Sequence, residues 1–237
     1  MVVSDCDGHL QCPRNDKERS YDTVFKVIDM LEILRKQFNE NMPNELKISY
    51  LREFLQVLIL KIMYDRRYFK NLTFTGGTAL RLLFELQRFS EDLDFSLTEK
   101  KGYNFNDFVS DIELQLKKHN LNVETRKQDK RTVQNVMIKF KDVLFELHLS
   151  NFKSQNLSVR IEIDGNPPQG WNSQVSLISK TYVFTVTHFD LPSLYATKLH
   201  ACFFRKYTKG RDIYDFLWYL GKNMQPNYEL LNNAIFQ

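Results

Sequence analysis

Two adjacent glycines and two closely spaced aspartates constrain this chain more than any other feature of its sequence. They lie within residues Phe74 to Phe95, which read FTGGTALRLLFELQRFSEDLDF. This pattern predicts a strand that ends at a Gly76-Gly77-Thr78 turn, then a short helix, then a second strand that carries Asp92 and Asp94. Because positions i and i+2 of a strand point to the same face, both carboxylates project together, while Leu93 faces the opposite, buried side.

Two neighbouring carboxylates repel each other unless a cation or a proton lies between them, and Mg²⁺ prefers such oxygen ligands. An Asp-x-Asp pair alone is also typical of a solvated strand end. The glycine pair favours the metal interpretation, because adjacent glycines let a ligand approach the backbone and the following helix N-terminus can hold a phosphate. A phosphate site and a metal site separated by one helix are the two halves needed to bind a nucleoside triphosphate with magnesium.

The remaining pattern predicts a mixed α/β middle between two helical ends. Apolar residues at spacings of three and four indicate helices, and short apolar or alternating runs indicate strands. The predicted helices are 21–38, 44–68, 78–86, 106–118, a pair from Asp190 to Leu220 that is broken at Gly210, and 227–236. The predicted strands are 72–75, 92–97, 121–125, 133–140, 143–149 and 158–164. The longest apolar run, Phe54 to Met63, is too short and too polar for a membrane span, and the N-terminus lacks an export signal, so we expect a cytoplasmic protein.

The glycine and aspartate stretch resembles the first motif of the AbiEii/AbiGii-type nucleotidyltransferases. These are toxin components of bacterial type IV toxin–antitoxin and abortive-infection systems, within the DNA polymerase β-like superfamily. The matching residues are Gly76 to Leu80 and Arg88 to Phe95. Further along, Lys198 to Ala201 and Arg211 to Asp215 are similar to the family's Lys and Arg-Asp-x-x-Asp helical motifs. The resemblance covers roughly residues 71–220.

The resemblance implies an α+β fold: a polymerase β-like nucleotidyltransferase core with a mixed sheet, flanked by N-terminal helices and a C-terminal helical segment. The corresponding divisions are a polar tail at 1–20, N-terminal helices at 21–70, the core at 71–189, and a helical segment at 190–237 that completes the site. It also implies transfer of a nucleoside monophosphate from a triphosphate to an acceptor hydroxyl, with two Mg²⁺ ions. Expected partners are the triphosphate, a tRNA or other RNA acceptor, and a cognate antitoxin that acts without stable binding.

The implied site residues fall into three groups. The catalytic candidates are Asp92, Asp94, Glu162, Lys198, Asp212 and Asp215. The nucleotide-binding candidates are Gly76, Gly77, Thr78, Arg88, Lys198 and Arg211. The metal ligands are Asp92, Asp94 and Glu162.

The resemblance implies a third carboxylate on a neighbouring strand, and the stretch SVRIEIDGNPP offers Glu162 and Asp164 on one strand face. Glu162 is favoured because apolar neighbours on both sides place it inside the strand, whereas Asp164 begins a turn. An exposed acidic strand face is the alternative. His148, on the neighbouring predicted strand, is either a cleft residue or a structural histidine.

The charged residues of the predicted C-terminal helices have two interpretations. Lys198 lies on an otherwise apolar stripe, so its ammonium group either extends to water or meets an anion. Arg211 and Asp215 are spaced for an ordinary helix ion pair, while Ile213, Phe216, Leu217 and Leu220 form the predicted core stripe. Arg81 and Arg88 either contact phosphate or pair with Glu85 and Glu91.

Composition restricts the class of protein less than the motifs do. With 33 basic and 29 acidic residues, the net charge of +4 permits a nucleic-acid partner without requiring one. The basic stretch Arg126 to Arg131 is typical of a solvated hairpin turn, or guides an RNA acceptor by its charge. Two alternatives to the transferase remain: a metal-dependent nuclease using the same acids, and a non-catalytic module that binds nucleotide or an antitoxin partner.

Overall fold

The computed structural model describes residues 30–129, 132–205 and 209–236 of the chain. The predicted polar tail at 1–20 and the first part of the helix predicted over 21–38 lie outside the described residues. The part of that helix within them is α1, Met30–Arg35.

Helices and strands follow one another as the sequence predicts in most of the described chain. The helices are α1 (Met30–Arg35), α2 (Asn44–Asp65), α3 (Gly76–Leu83), α4 (Phe105–Lys118), α5 (Val143–Glu146), α6 (Leu191–Phe204), α7 (Gly210–Gly221) and α8 (Tyr228–Ile235), with a 3-10 turn at Tyr68–Lys70. The strands are β1 (Leu72–Thr75), β2 (Asp92–Leu97), β3 (Val123–Asp129), β4 (Val133–Phe140), β5 (Leu157–Asp164), β6 (Ser173–Ser179) and β7 (Val183–Phe189).

The seven strands form one mixed sheet in the order β3-β4-β5-β2-β1-β7-β6. β2 lies at its centre, antiparallel to β1 and parallel to β5. β7 returns parallel to β1, with Phe74 opposite His188. The expected α+β class, with a mixed sheet and helices at both ends of the chain, is confirmed.

The hydrophobic core lies on the face of the sheet opposite the aspartates. Leu93 and Phe95 of β2 are buried there with the apolar residues of α2 and α4. Phe95 packs against Phe74 of β1 with ring centroids 5.3 Å apart. Each such side chain contributes about 1.5–3 kcal/mol by leaving water, so this burial fixes which face of β2 carries the acids.

Two strand predictions need correction. The run predicted as a strand over 143–149 begins as the short helix α5, after Asp142 at φ 65°. The alternation of apolar and polar residues from Phe145 to Leu149 favours a strand, but a run this short does not by itself distinguish a strand from a short helix. β6 and β7 were not predicted, although β7 has the alternation of a strand with one buried face.

The predicted core stripe of α7 is wrong in its orientation. Ile213, Leu217 and Leu220 are 52%, 60% and 54% exposed. The buried residues of this helix are instead Asp212, Asp215 and Tyr219. The physical reason is a set of ion pairs formed by the two aspartates, described below.

Among the described residues, the longest helices lack the combination of length and apolar character that a membrane crossing requires.

Candidate functional site

A polar cleft of about 310 Å³ opens on the face of the sheet that carries the aspartates. Its walls come from the β1–α3 junction, β2, β5, and the helices α6 and α7. The sequence-predicted residues on its walls are Gly76, Gly77, Arg88, Asp92, Asp94, Glu162, Asp164, Lys198, Arg211 and Asp212. The fold therefore brings most of the predicted site together from positions far apart in the chain.

Gly76 is required where β1 passes into α3. Its φ of 77° lies in the region that favours glycine. A Cβ at this position would also collide with the carboxylate of Asp94, which lies on β2 opposite Thr75. Glycine therefore lets the acid of one strand approach the backbone of the next.

Gly77 leaves room for side chains of the protein itself. A Cβ here would lie 2.8 Å from Nη2 of Arg88 and 3.1 Å from Oγ of Ser90. Thr78 is buried, and its hydroxyl donates a hydrogen bond to the carbonyl of Asp92. Thr78 thus ties α3 to β2 instead of presenting its hydroxyl to the cleft, as a phosphate ligand would.

The three predicted metal ligands share one face of two paired strands. Asp94 lies directly opposite Glu162 in the parallel β2–β5 register, and Asp92 lies opposite Arg160. Asp164 also reaches the cleft, but its carboxylate accepts a hydrogen bond from the backbone N–H of Asn166 at 3.0 Å. The register therefore favours Glu162 over Asp164 as the third acid.

Asp94 carries a negative charge that its surroundings do not balance. Burial, and then the charges of Asp92 and Glu162, raise the pKa of Asp94 to about 6, although Lys198 and Arg211 act in the opposite direction. A carboxylate with this pKa favours an added proton or an added cation. The site thus has the charge and the oxygen donors that suit a divalent cation.

Two arginines hold the other two acids in the present arrangement. Nη2 of Arg211 lies 3.5 Å from Oδ2 of Asp92, and Nη1 of Arg160 lies 3.2 Å from Oε1 of Glu162. Within the described ranges, no group of three or more acidic, histidine or cysteine side chains is arranged to hold a metal ion. The three acids share a strand face and have the oxygen donors that suit a metal, but in the present arrangement two of them pair with arginines.

The C-terminal helices contribute a buried ion-pair network beside the acids. Nε and Nη2 of Arg88 each donate to one oxygen of Asp215, both at 2.6 Å. Nζ of Lys198 lies 2.9 Å from the same carboxylate and 3.5 Å from Asp212, which also pairs with Arg205 at 3.3 Å. Asp215 is fully buried, so its role in this geometry is to position the two cations. The ammonium group of Lys198 therefore pairs with anions and does not extend to water, which decides between the two interpretations of its position on α6.

Several predicted pairings do not form. Arg81 donates to Glu53 of α2 at 2.7 Å, away from the cleft, and Arg88 pairs with Asp215. Neither pairs with the glutamates proposed from the sequence. Arg211 reaches across to Asp92 instead of its helix neighbour Asp215.

His148 lies after α5 at φ 57° and is not among the residues that line the cleft.

Arg160 lines the cleft but is not among the predicted site residues. It could have been found, because it lies two residues before Glu162 on the same strand face. The density of basic residues from Lys198 to Arg211 in the sequence predicts a basic rim beside the acids, and Arg205 and Lys209 of this stretch line the cleft.

Comparison with known proteins gives the family to which the chain belongs. The family model described as nucleotidyl transferase AbiEii toxin, type IV TA system, matches residues 58–237. No curated protein is detectably similar to the chain.

Two solved structures resemble the fold. One is JHP933 from Helicobacter pylori (22% identity, TM-score 0.48, 72% of this chain and 65% of that one). The other is a candidate nucleotidyltransferase from H. pylori (22% identity, TM-score 0.47, 72% of this chain and 67% of that one). The chain thus spans slightly less than two thirds of the length of JHP933. The family assignment rests on the match to the family model and on the cleft residues above. The chain belongs to the AbiEii family of nucleotidyl transferase toxins of type IV toxin–antitoxin systems.

Proposed function

We propose that this protein is a Mg²⁺-dependent nucleotidyltransferase, which moves a nucleoside monophosphate from a nucleoside triphosphate to an acceptor hydroxyl. The observation that carries the proposal is the cleft itself. Three carboxylates on two adjacent strands face cations from α6, α7 and the α3–β2 loop, beside a glycine turn. This arrangement supplies oxygen ligands for a metal and positive groups for phosphate within one cavity.

The acids and the cations have separate roles in this proposal. Asp92, Asp94 and Glu162 would hold the divalent cations, which when bound supply charge stabilisation to the attacking and leaving oxygens of an in-line displacement. Arg88 and Lys198 would neutralise the negative charge of the phosphates. Asp215 holds both of these cations from behind, so they face the cleft without needing to be ordered by the substrate.

The glycine turn and Arg211 complete the nucleotide site. Gly76 and Gly77 line the cleft at the start of α3, where backbone N–H groups without helical partners can donate to phosphate oxygens. The guanidinium group of Arg211 lies 3.5 Å from the carboxylate of Asp92. A triphosphate offers this guanidinium group a second anion, so nucleotide binding favours the release of Asp92 for metal binding.

The biological assignment follows the family. We propose that the protein acts in the cytoplasm as the toxin of a type IV toxin–antitoxin or abortive-infection system. Its acceptor would be a tRNA or another RNA, and its antitoxin would act without stable binding.

The test is transfer of label from each of the four nucleoside triphosphates to total RNA in the presence of Mg²⁺. Asp94→Asn and Glu162→Gln should abolish transfer, whereas Asp164→Asn should retain most of it. Transfer that survives Asp94→Asn would contradict the proposed site. Shortening of RNA without added nucleotide would instead indicate a nuclease, and nucleotide binding without turnover would indicate a non-catalytic module.

A further inference from the structure

The two edge strands of the sheet differ in charge. β3, at one edge, reads VETRKQD and carries two acidic and two basic residues. β6, at the other edge, reads SQVSLIS and carries no charged residue. An edge strand presents unpaired backbone N–H and C=O groups, and charged side chains on it prevent another strand from pairing there. β3 is therefore protected against pairing, and β6 is not.

β6 has the regular backbone that strand pairing requires. All seven of its residues pair in order with β7, from Ser173 opposite Phe189 to Ser179 opposite Val183, so no bulge turns the edge away. Among the described residues, β6 makes its most extensive contacts with β7 and α3. β7 takes up its inner edge, and α3 ends on the core side of the sheet. The outer edge of β6 is left to pair with another strand.

The side of β6 that faces away from the core is exposed and apolar. Val175 and Leu177 are 65% and 60% exposed, whereas Ile178, which points to the other side, is 1% exposed. Val183 of β7 is 64% exposed and continues this surface beside Ser179. Exposed apolar side chains contribute little to the folding of a single chain. Their position on an unprotected edge strand indicates an interface.

These apolar residues lie on the face of the sheet that carries the acids. Opposite residues of neighbouring strands point to the same face. Phe74 of β1 lies opposite both Phe95 and His188, so His188 shares the core face with Phe95. Val175 lies opposite Thr187, the residue before His188. Val175 and Leu177 therefore point to the opposite face, where the cleft opens.

The sequence of β6 is complementary to itself in an antiparallel pair centred on Ser176. In this register Val175 of one copy lies opposite Leu177 of the other, and Ser173 lies opposite Ser179. The two-fold axis repeats each pair, so Val175 and Leu177 of both copies form one apolar group across it. A charged strand in the same place would leave its charges beside these apolar side chains without partners.

The difference between the two edges also limits the number of copies that can join. Pairing through β6 leaves a charged β3 strand at each outer edge of the combined sheet, which prevents further addition. An interface that uses the same strand of both copies is closed by a two-fold axis. Two copies are thus the partner number that fits this sheet.

We propose that the protein forms a homodimer in which the β6 strands of two copies pair antiparallel, with Ser176 on the two-fold axis. The two sheets then form one continuous sheet, and both clefts open on the same side of it. The proposal does not depend on the proposed function, because it concerns the edge of the sheet and not the reaction in the cleft.

The first experiment measures the mass of the whole chain in solution by sedimentation velocity over a range of concentrations. We expect the wild type to have twice the mass of one chain. Leu177→Lys places two like charges close to the axis, so the dissociation constant should rise about 100-fold or more. Leu114→Lys is the matched control, because Leu114 is 52% exposed on α4, which contacts the charged edge strand β3. This control should remain dimeric, and thermal melts should show that both variants fold.

A single cysteine tests the register. Opposite residues of an antiparallel pair have Cα atoms about 4.5–5.5 Å apart, which is within reach of a disulfide. Ser176→Cys should therefore cross-link two copies under mild oxidation. Gln174→Cys should not, because the two copies of residue 174 would lie roughly 14 Å apart. A non-reducing gel gives the yield, and the wild type, which has three cysteines of its own, is the control for other cross-links.

Three outcomes would overturn the proposal. The first two are a dimer that Leu177→Lys leaves intact and a higher cross-linking yield at Gln174→Cys than at Ser176→Cys. The third is a monomer at every concentration, and amide hydrogen exchange would then identify what covers the edge. Slow exchange in β6 would indicate residues 1–29 of the same chain, and fast exchange would indicate a site for a different protein.

Discussion

Helices α4 and α7 carry apolar residues at similar spacing but bury opposite kinds of face. α4 buries Phe105, Phe108, Val109, Ile112 and Leu116 against the sheet. α7 buries Asp212, Asp215 and Tyr219, and it exposes Ile213, Leu217 and Leu220. The same periodicity therefore describes a core helix in one place and a helix turned toward a polar site in the other.

The magnitudes explain why α7 turns its acids inward. Leaving an apolar side chain in water forgoes about 1.5–3 kcal/mol. Removing the partner of a buried ion pair costs about 3–5 kcal/mol, and Asp215 is the partner of both Arg88 and Lys198. Because Ile213, Leu217 and Leu220 are only 52%, 60% and 54% exposed, the three together forgo roughly 2–5 kcal/mol, which is comparable with the cost of breaking the buried pairs of Asp215. The pattern and the burial of this helix therefore disagree because it faces a polar cleft.

The largest expected effect is the difference in stability loss between two truncations, one of an apolar residue on each helix. Phe108 is fully buried, so Phe108→Ala should lower the free energy of unfolding by about 3–5 kcal/mol. Leu217→Ala should change it by less than about 0.5 kcal/mol. Urea denaturation of both variants checks the pair, and similar losses in the two would contradict the orientation of α7.

For acidic residues the order of the two helices should be reversed: a substitution on α7 should lower the free energy of unfolding more than one on α4. Asp215→Ala leaves Arg88 and Lys198 without their shared buried partner and should cost about 3 kcal/mol. Glu113 of α4 is partly exposed, pairs with Lys117 and accepts a hydrogen bond from Thr125, so Glu113→Ala should cost about 1 kcal/mol. Adding Lys198→Met to Asp215→Ala should recover part of the loss, since it removes an ammonium group that has lost its nearer partner and keeps only the 3.5 Å contact with Asp212. Equal costs for the two single variants would mean that Asp215 is an ordinary surface acid.

The acidic residues of the cleft that α7 faces should make the stability of the protein depend on pH. The pKa of Asp94 is about 6 in the folded protein, against a reference of 3.8, so folded protein holds this proton more tightly than unfolded protein does. Its contribution to stability is complete below about pH 3.8 and is lost as pH rises through about 6. An asparagine at this position does not ionise, so it does not lose stability as the pH rises.

Relative to the wild type, Asp94→Asn should therefore gain roughly 2 kcal/mol of stability between pH 4 and pH 7.5, since one pKa unit corresponds to about 1.4 kcal/mol. Thermal or urea unfolding in EDTA at the two pH values measures the change. A difference between the two proteins that is independent of pH would show that the charge of Asp94 is already balanced without a metal.

The smallest expected effect concerns the first turn of α7. Arg211→Gln removes the guanidinium group that competes with a cation for Asp92, so affinity for Mn²⁺ alone should rise about 3-fold to 10-fold, or roughly 1 kcal/mol. Calorimetry without nucleotide gives the value. Arg66→Gln, which removes the cation paired with Asp111 of α4, should leave Mn²⁺ affinity unchanged. Weaker Mn²⁺ binding in Arg211→Gln would contradict the competition.

The local parts of the site could be predicted from sequence because local geometry determines them. The shared face of Asp92 and Asp94 follows from strand alternation alone, and the short helix after the glycine pair follows from its apolar spacing. The orientation of α7 could not be predicted in this way. It depends on Arg88, which lies 127 residues before Asp215 in the chain, and periodicity contains no information about such a partner.

The other differences have similarly specific causes. The run from Val143 to Leu149, VLFELHL, begins with three apolar residues and then alternates apolar with polar ones, so its pattern fits both a strand and a helix. Thr78 was predicted to face phosphate, but its hydroxyl is used to hold β2. Sequence spacing alone therefore does not show whether a polar residue beside the glycine turn binds a ligand or holds two elements of the fold together.

The pairing of Arg88 with Asp215 also affects how the protein is made. A ribosome releases the strands that carry Asp92, Asp94 and Glu162 well before it releases α7. During that interval the nascent chain has the acids of the cleft without the carboxylate that fixes Arg88 and Lys198 beside them. The cationic wall of the cleft is completed only when α7 has emerged, so the proposed nucleotide site forms late in the synthesis of the chain.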